Sequence, residues 1–253
     1  NPVLMRSYGA YGVPTEVDFR VENFPLLERG WIIALPHVRG GSELGRRWYN
    51  GGKLLKKKTS MTDFISVAEW LVKTGLTSPR YLSAMGTSAG GLLVGASGCM
   101  RPDLFRALVL RVPFIDPLSA MLDPTLPLTQ VEYLEWGNPQ MDAAAYDYMA
   151  SYAPYDIIPT VDQLPTATAP SILLSGAVKD QRVNYWQILK YVARTREHLS
   201  VIYDNGQPND TNKPVLLAHI DENFGHFGSG SDQDGRLKES AKELAFLISR
   251  VQG

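Results

Sequence analysis

Short apolar runs alternate along this chain with segments of helical periodicity. Six runs predict strands, at residues 3–5, 31–35, 81–85, 107–112, 172–175 and 215–220. The runs are largely continuous instead of alternating with polar residues, so we expect most of the strands to be buried on both faces. The pattern therefore predicts an α/β fold with a mostly parallel central sheet and helices on both of its faces.

Helical periodicity marks three segments between and after these runs. The first, between the second and third strands, is predicted to begin with Ser60 and Asp63 as a capping pair and to end at Gly75. A second helix follows the fifth strand, and an amphipathic helix ends the chain. The apolar positions that define the three helices are Phe64, Val67, Ala68, Leu71 and Val72, then Trp186, Leu189 and Val192, then Leu237, Ala241, Leu244, Ile248 and Val251.

Residues 113–170 interrupt the alternation with scattered prolines and aromatic residues. This segment predicts an insertion of short helices and loops above the sheet, where it would form part of a substrate pocket. We expect residues 1–253 to form a single domain, because a chain of this length with 44% hydrophobic residues is sufficient for one large core.

Charge and cysteine content narrow the classes of partner and compartment. Twenty-five basic and 26 acidic residues give a net charge of −1, which provides no field for holding a nucleic acid or an anionic membrane. We expect neither as a partner. The single cysteine, Cys99, excludes an internal disulfide, and no run of eighteen apolar residues is present. The chain begins at Asn1 without the pattern of a signal peptide, so we predict a cytoplasmic protein.

A glycine-flanked serine carries the strongest chemical signal in the chain. The motif Gly86-x-Ser88-x-Gly90 lies between an apolar run and a helix-compatible segment. This is the strand, sharp turn and helix of a nucleophile elbow, where a Cβ atom on either glycine would collide with neighbouring backbone. The Ala89 amide, at the start of the next helix, is placed to stabilise an oxyanion. A glycine-rich turn with an incidental serine is the competing explanation of this motif by itself.

The general base is sought after the last strand, where α/β hydrolases carry their catalytic histidine. His226 follows that strand in a loop with glycines on both sides, so we predict that it activates Ser88. The other histidines have structural explanations. His219 is expected to be packed inside the last strand, His198 to end a helix, and His37 to precede a turn.

The acid is sought after the preceding strand. Asp180 lies in the loop after the run 172–175, where a carboxylate can orient the imidazole of His226. Asp156, Asp162 and Asp204 occupy less suitable places. Ser88, Asp180 and His226 thus stand in the order that an α/β-hydrolase fold requires, and their chemistry needs no cofactor and no metal.

Several longer stretches of the chain are typical of a known family. They are residues 8–12 (YGAYG), 37–45 (HVRGGSELG), 101–105 (RPDLF), 115–116 (ID), 127–129 (PLT) and 135–139 (EWGNP). Over nearly its whole length the chain resembles the catalytic domain of the prolyl oligopeptidase group of serine peptidases, in particular oligopeptidase B. The resemblance implies an α/β-hydrolase fold, peptides as substrates, and the triad of Ser88, Asp180 and His226.

The resemblance also implies roles that the residues alone do not suggest. Tyr8 matches a tyrosine that donates its hydroxyl to the oxyanion beside the Ala89 amide. Arg182 matches an arginine that binds a backbone carbonyl of the substrate. Glu132 matches the first of two acidic residues that receive a basic side chain next to the scissile bond, and Leu134 stands at the position of the second.

Two nearby features bear on this comparison. Because Leu134 replaces the second acidic residue, we expect the carboxylate of Glu135 to compensate for the missing one. Lysines 56–58 resemble a family segment, and we expect a solvated charged face there.

Full-length members of the group carry a β-propeller that covers the active site, and these 253 residues contain no propeller sequence. Two explanations stay open: a hydrolase part whose propeller is a domain or chain not present here, or a free-standing enzyme with an open site.

We therefore predict a serine peptidase with a preference for Arg or Lys at the cleavage site. Two alternatives within the group are prolyl oligopeptidase-type specificity and an esterase or thioesterase of the prolyl-endopeptidase-like kind. A third, from a different class, is a catalytically silent hydrolase fold that serves as a binding module.

Overall fold

A computed structural model describes residues 1–165, 168–203, 213–228 and 233–253. Within these residues the chain forms one sheet of six parallel strands in the order β2-β1-β3-β4-β5-β6. The strands are β1 (Val3–Arg6), β2 (Ile32–Ala34), β3 (Leu82–Thr87), β4 (Ala107–Arg111), β5 (Ser171–Ala177) and β6 (Leu216–Asp221). All six predicted strands are present, and the predicted α/β fold with a parallel sheet is confirmed.

Nine α-helices lie within the described residues. They are α1 (Phe24–Leu27), α2 (Arg46–Asn50), α3 (Lys58–Lys73), α4 (Ala89–Met100), α5 (Pro117–Leu122), α6 (Thr129–Trp136), α7 (Ala143–Ala150), α8 (Trp186–Tyr203) and α9 (Gln233–Val251). Single 3-10 turns occupy Val21–Asn23, Leu54–Lys56, Pro79–Tyr81 and Val161–Gln163. None of the helices in the described part is long and apolar enough to cross a lipid bilayer.

Each face of the sheet supports its own hydrophobic core, because side chains alternate between the faces along a strand. Val3 and Met5 of β1 belong to the larger core, which also contains apolar residues of α3, α4 and α8. Leu4, between them, packs into the smaller core with residues of α1 and α9. Burial on both faces explains why these strands have continuous apolar sequences.

The parallel arrangement brings the functional loops to one edge of the sheet. Strands β3, β5 and β6 all end at this edge, with Thr87 paired beside Arg111 and Ala177 beside Asp221. The loops that follow carry Ser88, Asp180 and His226. Residues 113–170 contribute α5, α6 and α7 as short helices between β4 and β5.

Two local predictions are wrong. Helix α3 begins at Lys58, so Ser60 lies inside the helix and is buried, and its hydroxyl donates to Arg39 O at 2.6 Å. His219 is exposed, because β6 is the edge strand and three consecutive residues at its centre are exposed. The predicted end of the first helix is confirmed, since Gly75 directly follows its C-cap residue with φ +74°.

Candidate active site

Ser88 occupies a sharp turn between β3 and α4. Its φ of 56° and ψ of −118° lie in a region that residues other than glycine rarely adopt. Backbone hydrogen bonds hold the strained turn through both the amide and the carbonyl of Ser88. The Ser88 amide donates to Arg111 O at 2.9 Å, and the Ser88 carbonyl accepts from Gly91 N and Phe114 N. Strain of this kind, fixed by its surroundings, is typical of functional sites.

The two glycines of the motif are required by close backbone packing. A Cβ atom on Gly86 would lie 2.0 Å from the Gly90 carbonyl oxygen, and one on Gly90 would lie 2.8 Å from Ser7 O. The steric prediction made from the sequence is confirmed. No side chain larger than hydrogen fits at residue 86 without a change in the turn.

A chain of hydrogen bonds joins Ser88, His226 and Asp180. The His226 Nε2 atom lies 3.1 Å from Ser88 Oγ, and its Nδ1 atom lies 2.8 Å from Asp180 Oδ2. Because an ionised carboxylate only accepts, Nδ1 carries the proton of a neutral imidazole and Nε2 is free to accept from the serine hydroxyl. The three residues predicted from the sequence are therefore brought together in the arrangement that proton transfer requires.

Asp180 is held independently of His226. Its Oδ1 atom accepts from the amides of Arg182 and Val183, at 2.8 and 2.9 Å, while Oδ2 is left for the imidazole. The Asp180 side chain is fully buried, and only 8% of the His226 side chain is exposed. Two backbone donors thus fix the carboxylate through the oxygen that the histidine does not use.

The residues judged less suitable lie elsewhere. His37 is exposed, and His198 Nδ1 lies 3.1 Å from Ile158 O. Asp156 pairs with an arginine, Asp162 accepts from a threonine hydroxyl, and Asp204 lies outside the described residues.

Two donors predicted for an oxyanion hole border the same cavity. Ala89 is the first residue of α4, and Tyr8 lies beyond the end of β1. Both line a cavity of about 270 Å³ together with Ser88. Burial raises the pKa of the Tyr8 phenol, against the opposing effect of its hydrogen bond with Ser88. A phenol with a raised pKa keeps its proton at neutral pH and is a hydrogen-bond donor.

The cavity also contains both predicted substrate-binding residues. Arg182 is exposed, and its guanidinium lies 5.0 Å from the centre of the Phe227 ring. Glu132 is half-buried, and its Oε2 atom accepts from Tyr11 OH and from Trp136 Nε1, each at 2.6 Å. Among the residues that the structure describes, none donates to Glu132 Oε1. The protein therefore fixes one of the two carboxylate oxygens of Glu132.

The neighbours of Glu132 on α6 point elsewhere. Leu134 is 78% exposed and does not line the cavity. Glu135 is buried, and its oxygens accept from Tyr11 N at 3.0 Å and from Tyr49 OH at 2.7 Å. Glu135 is therefore already bonded within the protein and away from the cavity, so the expectation that it compensates for the missing carboxylate is wrong.

The partner of Glu135 was missed at the level of sequence. Lys57 is 1% exposed, and its ammonium lies 3.8 Å from Glu135 Oε1, so the expected solvated face is wrong for this residue. Lys56 is exposed as expected. A signal was available, because Lys57, the N-cap residue of α3, precedes Met61 and Phe64 at helical spacing, and all three are buried.

Comparisons with known proteins identify the family of this chain. Residues 17–253 match the family model described as the prolyl oligopeptidase family. The chain is 39% identical over 250 residues to dipeptidyl aminopeptidase BI of Pseudoxanthomonas mexicana, covering 99% of this chain and 32% of that protein. It is 39% identical to protease 2 of Moraxella lacunata, covering 99% of this chain and 34% of that protein.

Comparison of the fold with solved structures leads to the same family. Oligopeptidase B from Leishmania major superposes with a TM-score of 0.89 at 40% identity, over 99% of this chain and 32% of that one. The chain thus spans about a third of the length of the relatives it matches. With a family model that matches 237 of its residues and a shared fold at this identity, the chain belongs to the prolyl oligopeptidase family.

Proposed function

We propose that this chain is the catalytic part of a serine peptidase, in which Ser88 is the nucleophile, His226 the general base and Asp180 the residue that orients the base. The hydrogen-bonded chain from Ser88 Oγ to Asp180 Oδ2 is the observation that supports it. Proton transfer along such a chain makes a serine hydroxyl reactive toward a carbonyl carbon.

In the acylation step, His226 Nε2 takes the hydroxyl proton as Ser88 Oγ bonds to the carbonyl carbon of the substrate. The negative charge that develops on the carbonyl oxygen is stabilised by the Ala89 amide and the Tyr8 hydroxyl. His226 then gives its proton to the departing amine as the C–N bond breaks. Water, deprotonated by the same histidine, releases the acid and returns Ser88 to its starting state.

We further propose a preference for Arg or Lys next to the scissile bond. Glu132 lies in the same cavity as Ser88 and has one oxygen left for a ligand, so a cationic side chain can form a charge-assisted bond there. Arg182, at the rim, is the proposed donor to a backbone carbonyl of the substrate. The walls include Phe114, Met121 and Leu128, which would pack against the methylene groups of the substrate side chain.

The alternative of an ester or thioester substrate is favoured by one observation. The cavity offers one carboxylate where oligopeptidase B is expected to use two, because Leu134 points to solvent. A site of this kind would bind a basic side chain less tightly, and its triad would cleave an activated ester more readily than an amide. Prolyl oligopeptidase-type specificity is the remaining alternative.

A comparison of three substrates tests the proposal. We expect kcat/KM to be highest for an arginyl amide, lower for a prolyl amide, and measurable for a simple ester. Turnover of the ester with both amides left intact would contradict peptidase activity and support the esterase. A higher rate on the prolyl amide would contradict the preference for a basic residue.

Labelling by a fluorophosphonate separates an enzyme from a silent binding module. We expect the folded protein to be labelled at Ser88 and the Ser88→Ala variant to remain unlabelled. Absence of labelling in the folded wild-type protein would favour the silent module.

The partners and the compartment belong to the same proposal. We infer a peptide as the substrate, and a β-propeller, as a domain or a separate chain, as the cover of the cavity. We propose a cytoplasmic location, which is consistent with the single cysteine, Cys99, among residues 1–253. The intact mass of the natural protein tests the propeller, because a species near 28.0 kDa would leave no room for it in the same chain.

A further inference from the structure

A buried ion pair lies behind the loop that carries Tyr8. The Lys57 and Glu135 side chains are 1% and 4% exposed, and their charged atoms are 3.8 Å apart. A pair buried this deeply contributes little to stability compared with well-packed apolar residues of the same size, because both charges lose their hydration. Its other contacts therefore indicate what the pair does.

The ammonium of Lys57 contacts four groups of the protein. It donates to Gly9 O at 2.5 Å and to Gly52 O at 3.1 Å, and it faces Glu135 and the Trp136 ring, whose centre is 4.8 Å away. Gly9 directly follows Tyr8 in the chain. Lys57 thus bonds to the carbonyl of the residue that follows the proposed oxyanion donor.

Glu135 holds the other end of the same loop. Its Oε1 atom accepts from the Tyr11 amide at 3.0 Å, and its Oε2 atom accepts from Tyr49 OH. The Tyr11 hydroxyl in turn donates to Glu132 in the cavity. The pair therefore bonds to the backbone on both sides of residue 10, between Tyr8, the proposed oxyanion donor, and Tyr11, which bonds to the Glu132 carboxylate.

The loop needs such support because its backbone is strained. Gly9 has φ +68°, and Tyr11, which has a side chain, has φ +56°. A left-handed conformation at a residue other than glycine persists only where the surroundings impose it. The Gly9 carbonyl also packs against Gly40, where a Cβ atom would lie 2.2 Å from that oxygen.

We propose that Lys57 and Glu135 are a positioning pair, which fixes the loop at residues 8–11 so that Tyr8 reaches the oxyanion and Tyr11 holds Glu132 toward the substrate. This inference rests on the proposed function of Ser88, Tyr8 and Glu132. Neither residue of the pair lines the cavity, so each acts through the loop and not on the substrate.

A double-mutant cycle tests the inference. We would measure kcat on an arginyl amide, and the rate of fluorophosphonate labelling, for the wild type, Tyr8→Phe, Lys57→Met and the double variant, each normalised to folded protein by circular dichroism. Tyr8→Phe is expected to lower kcat by about 10²-fold, as loss of one oxyanion donor does. Lys57→Met is expected to lower it by a similar factor, because a displacement of about 1 Å has that effect.

The cycle distinguishes positioning from general weakening. Since Lys57 acts through Tyr8, the double variant should lose about 10²-fold and not the roughly 10⁴-fold product of two independent effects. In Lys57→Met, the KM for the arginyl amide should also rise, because this substrate uses Glu132. The KM for a neutral ester, which does not use Glu132, should stay within about twofold of the wild-type value. Lys56→Met is the matched control from the same lysine run, and we expect wild-type kinetics.

Glu135→Gln is a gentler variant in case Lys57→Met does not fold. Glutamine removes the charge, keeps an acceptor for the Tyr11 amide and presents its NH2 group to Tyr49 OH, which can accept from it. We expect a loss of roughly tenfold in kcat, again absent in the Tyr8→Phe background. Losses that multiply, or a Lys57→Met variant with wild-type kcat, would overturn the inference while leaving the proposed function intact. A wild type that neither cleaves the substrates nor becomes labelled would overturn both.

Discussion

The two oxygens of Glu132 have different surroundings, and this difference decides what the residue can bind. Oε2 accepts from Tyr11 and Trp136, and Oε1 has no donor among the residues that the structure describes. A substitution that keeps both accepted bonds and removes only the charge therefore isolates the contribution of the carboxylate to substrate binding.

We predict that Glu132→Gln lowers kcat/KM for an arginyl amide by about 10- to 100-fold, the value of one charge-assisted hydrogen bond of about 1.5–3 kcal/mol. The prolyl amide should be cleaved within about twofold of the wild-type rate, since it presents no cation. Steady-state kinetics on both substrates measure this, with the exposed Glu28→Gln as the control. Equal losses on the two amides would show that Glu132 does not select a basic residue.

Lys57 makes the stability of the protein depend on pH. Burial lowers the pKa of its ammonium from 10.5 to about 8, despite the opposing effect of Glu135. Between these two values the unfolded chain holds the proton and the folded chain has released it. The free energy of unfolding therefore rises with pH through this window, by about 3 kcal/mol in total.

Urea unfolding of the wild type and of Lys57→Met between pH 7 and pH 10.5 checks this. Burial raises the pKa of several tyrosines, including Tyr49 to about 12, which lowers stability above pH 10 in both proteins. Subtracting the free energy of unfolding of Lys57→Met from that of the wild type removes the effect of the tyrosines, which both proteins share. We expect the difference to increase from pH 8 upward, and a constant difference would contradict the prediction.

At the scale of elements, the turn between β3 and α4 depends on the absence of a Cβ atom at Gly86. A Cβ atom on Gly86, in β3, would lie 2.0 Å from Gly90 O. A Cβ atom on Gly95, in α4, would meet no atom closer than 3.5 Å. We predict that Gly86→Ala lowers the rate of fluorophosphonate labelling by about 10²-fold or more, because Ser88 is displaced.

Gly95→Ala is the matched control. Alanine favours a helix by up to about 1 kcal/mol over glycine, so this variant should label as the wild type does and unfold at a slightly higher urea concentration. Normal labelling of Gly86→Ala would mean that the turn tolerates a side chain and that the steric argument is wrong.

A second ion pair joins two elements of the pocket. Asp116 caps α5, accepting from Ser119 N at 3.3 Å, and it also binds the ammonium of Lys190 on α8. Helix α5 contributes Ala120 and Met121 to the cavity wall. The pair therefore ties this wall to the helix that follows the Asp180 loop.

We predict that Lys190→Met destabilises the protein by about 2 kcal/mol, because Asp116 is fully buried and loses its cation. The value is below that of a fully buried pair, since 37% of the Lys190 side chain is exposed. Adding Asp116→Asn should recover part of the loss. Urea unfolding measures both, with the exposed Lys73→Met on α3 as the control, and a further loss in the double variant would contradict the argument.

At the scale of the whole molecule, exposed apolar side chains lie beside two of the residues that line the cavity. Phe227 beside Arg182 is 72% exposed, and Val131 and Leu134 beside Glu132 are 67% and 78% exposed. We predict that residues 1–253, produced by themselves, cleave a long unfolded polypeptide and a ten-residue peptide with similar kcat/KM per basic site. Mass spectrometry of the products measures this. Cleavage of the short peptide alone would show that size selection lies within these residues.

Much of this molecule could be predicted from sequence because its signals are local or are fixed by topology. Continuous apolar runs identify strands buried on both faces, and the order of residues 88, 180 and 226 follows from the order of strands that end at one edge. His219 was misjudged because the position of a strand within a sheet is not a property of its own residues. Glu132 and Glu135 are three residues apart on α6 and differ in direction by only about 60°, so which of them faces the cavity depends on the phase of the helix.

The distance along the chain between Ser88 and its base has a consequence for synthesis. The two residues are 138 positions apart, and Asp180 precedes His226 by 46. At about 5–20 residues per second, His226 is translated on the order of 10 s after Ser88. On the proposed mechanism Ser88 is an ordinary alcohol throughout that interval. A ribosome-bound chain thus acquires hydrolytic power only after His226 has been made, and copies that end before this residue do not attack unfolded nascent neighbours.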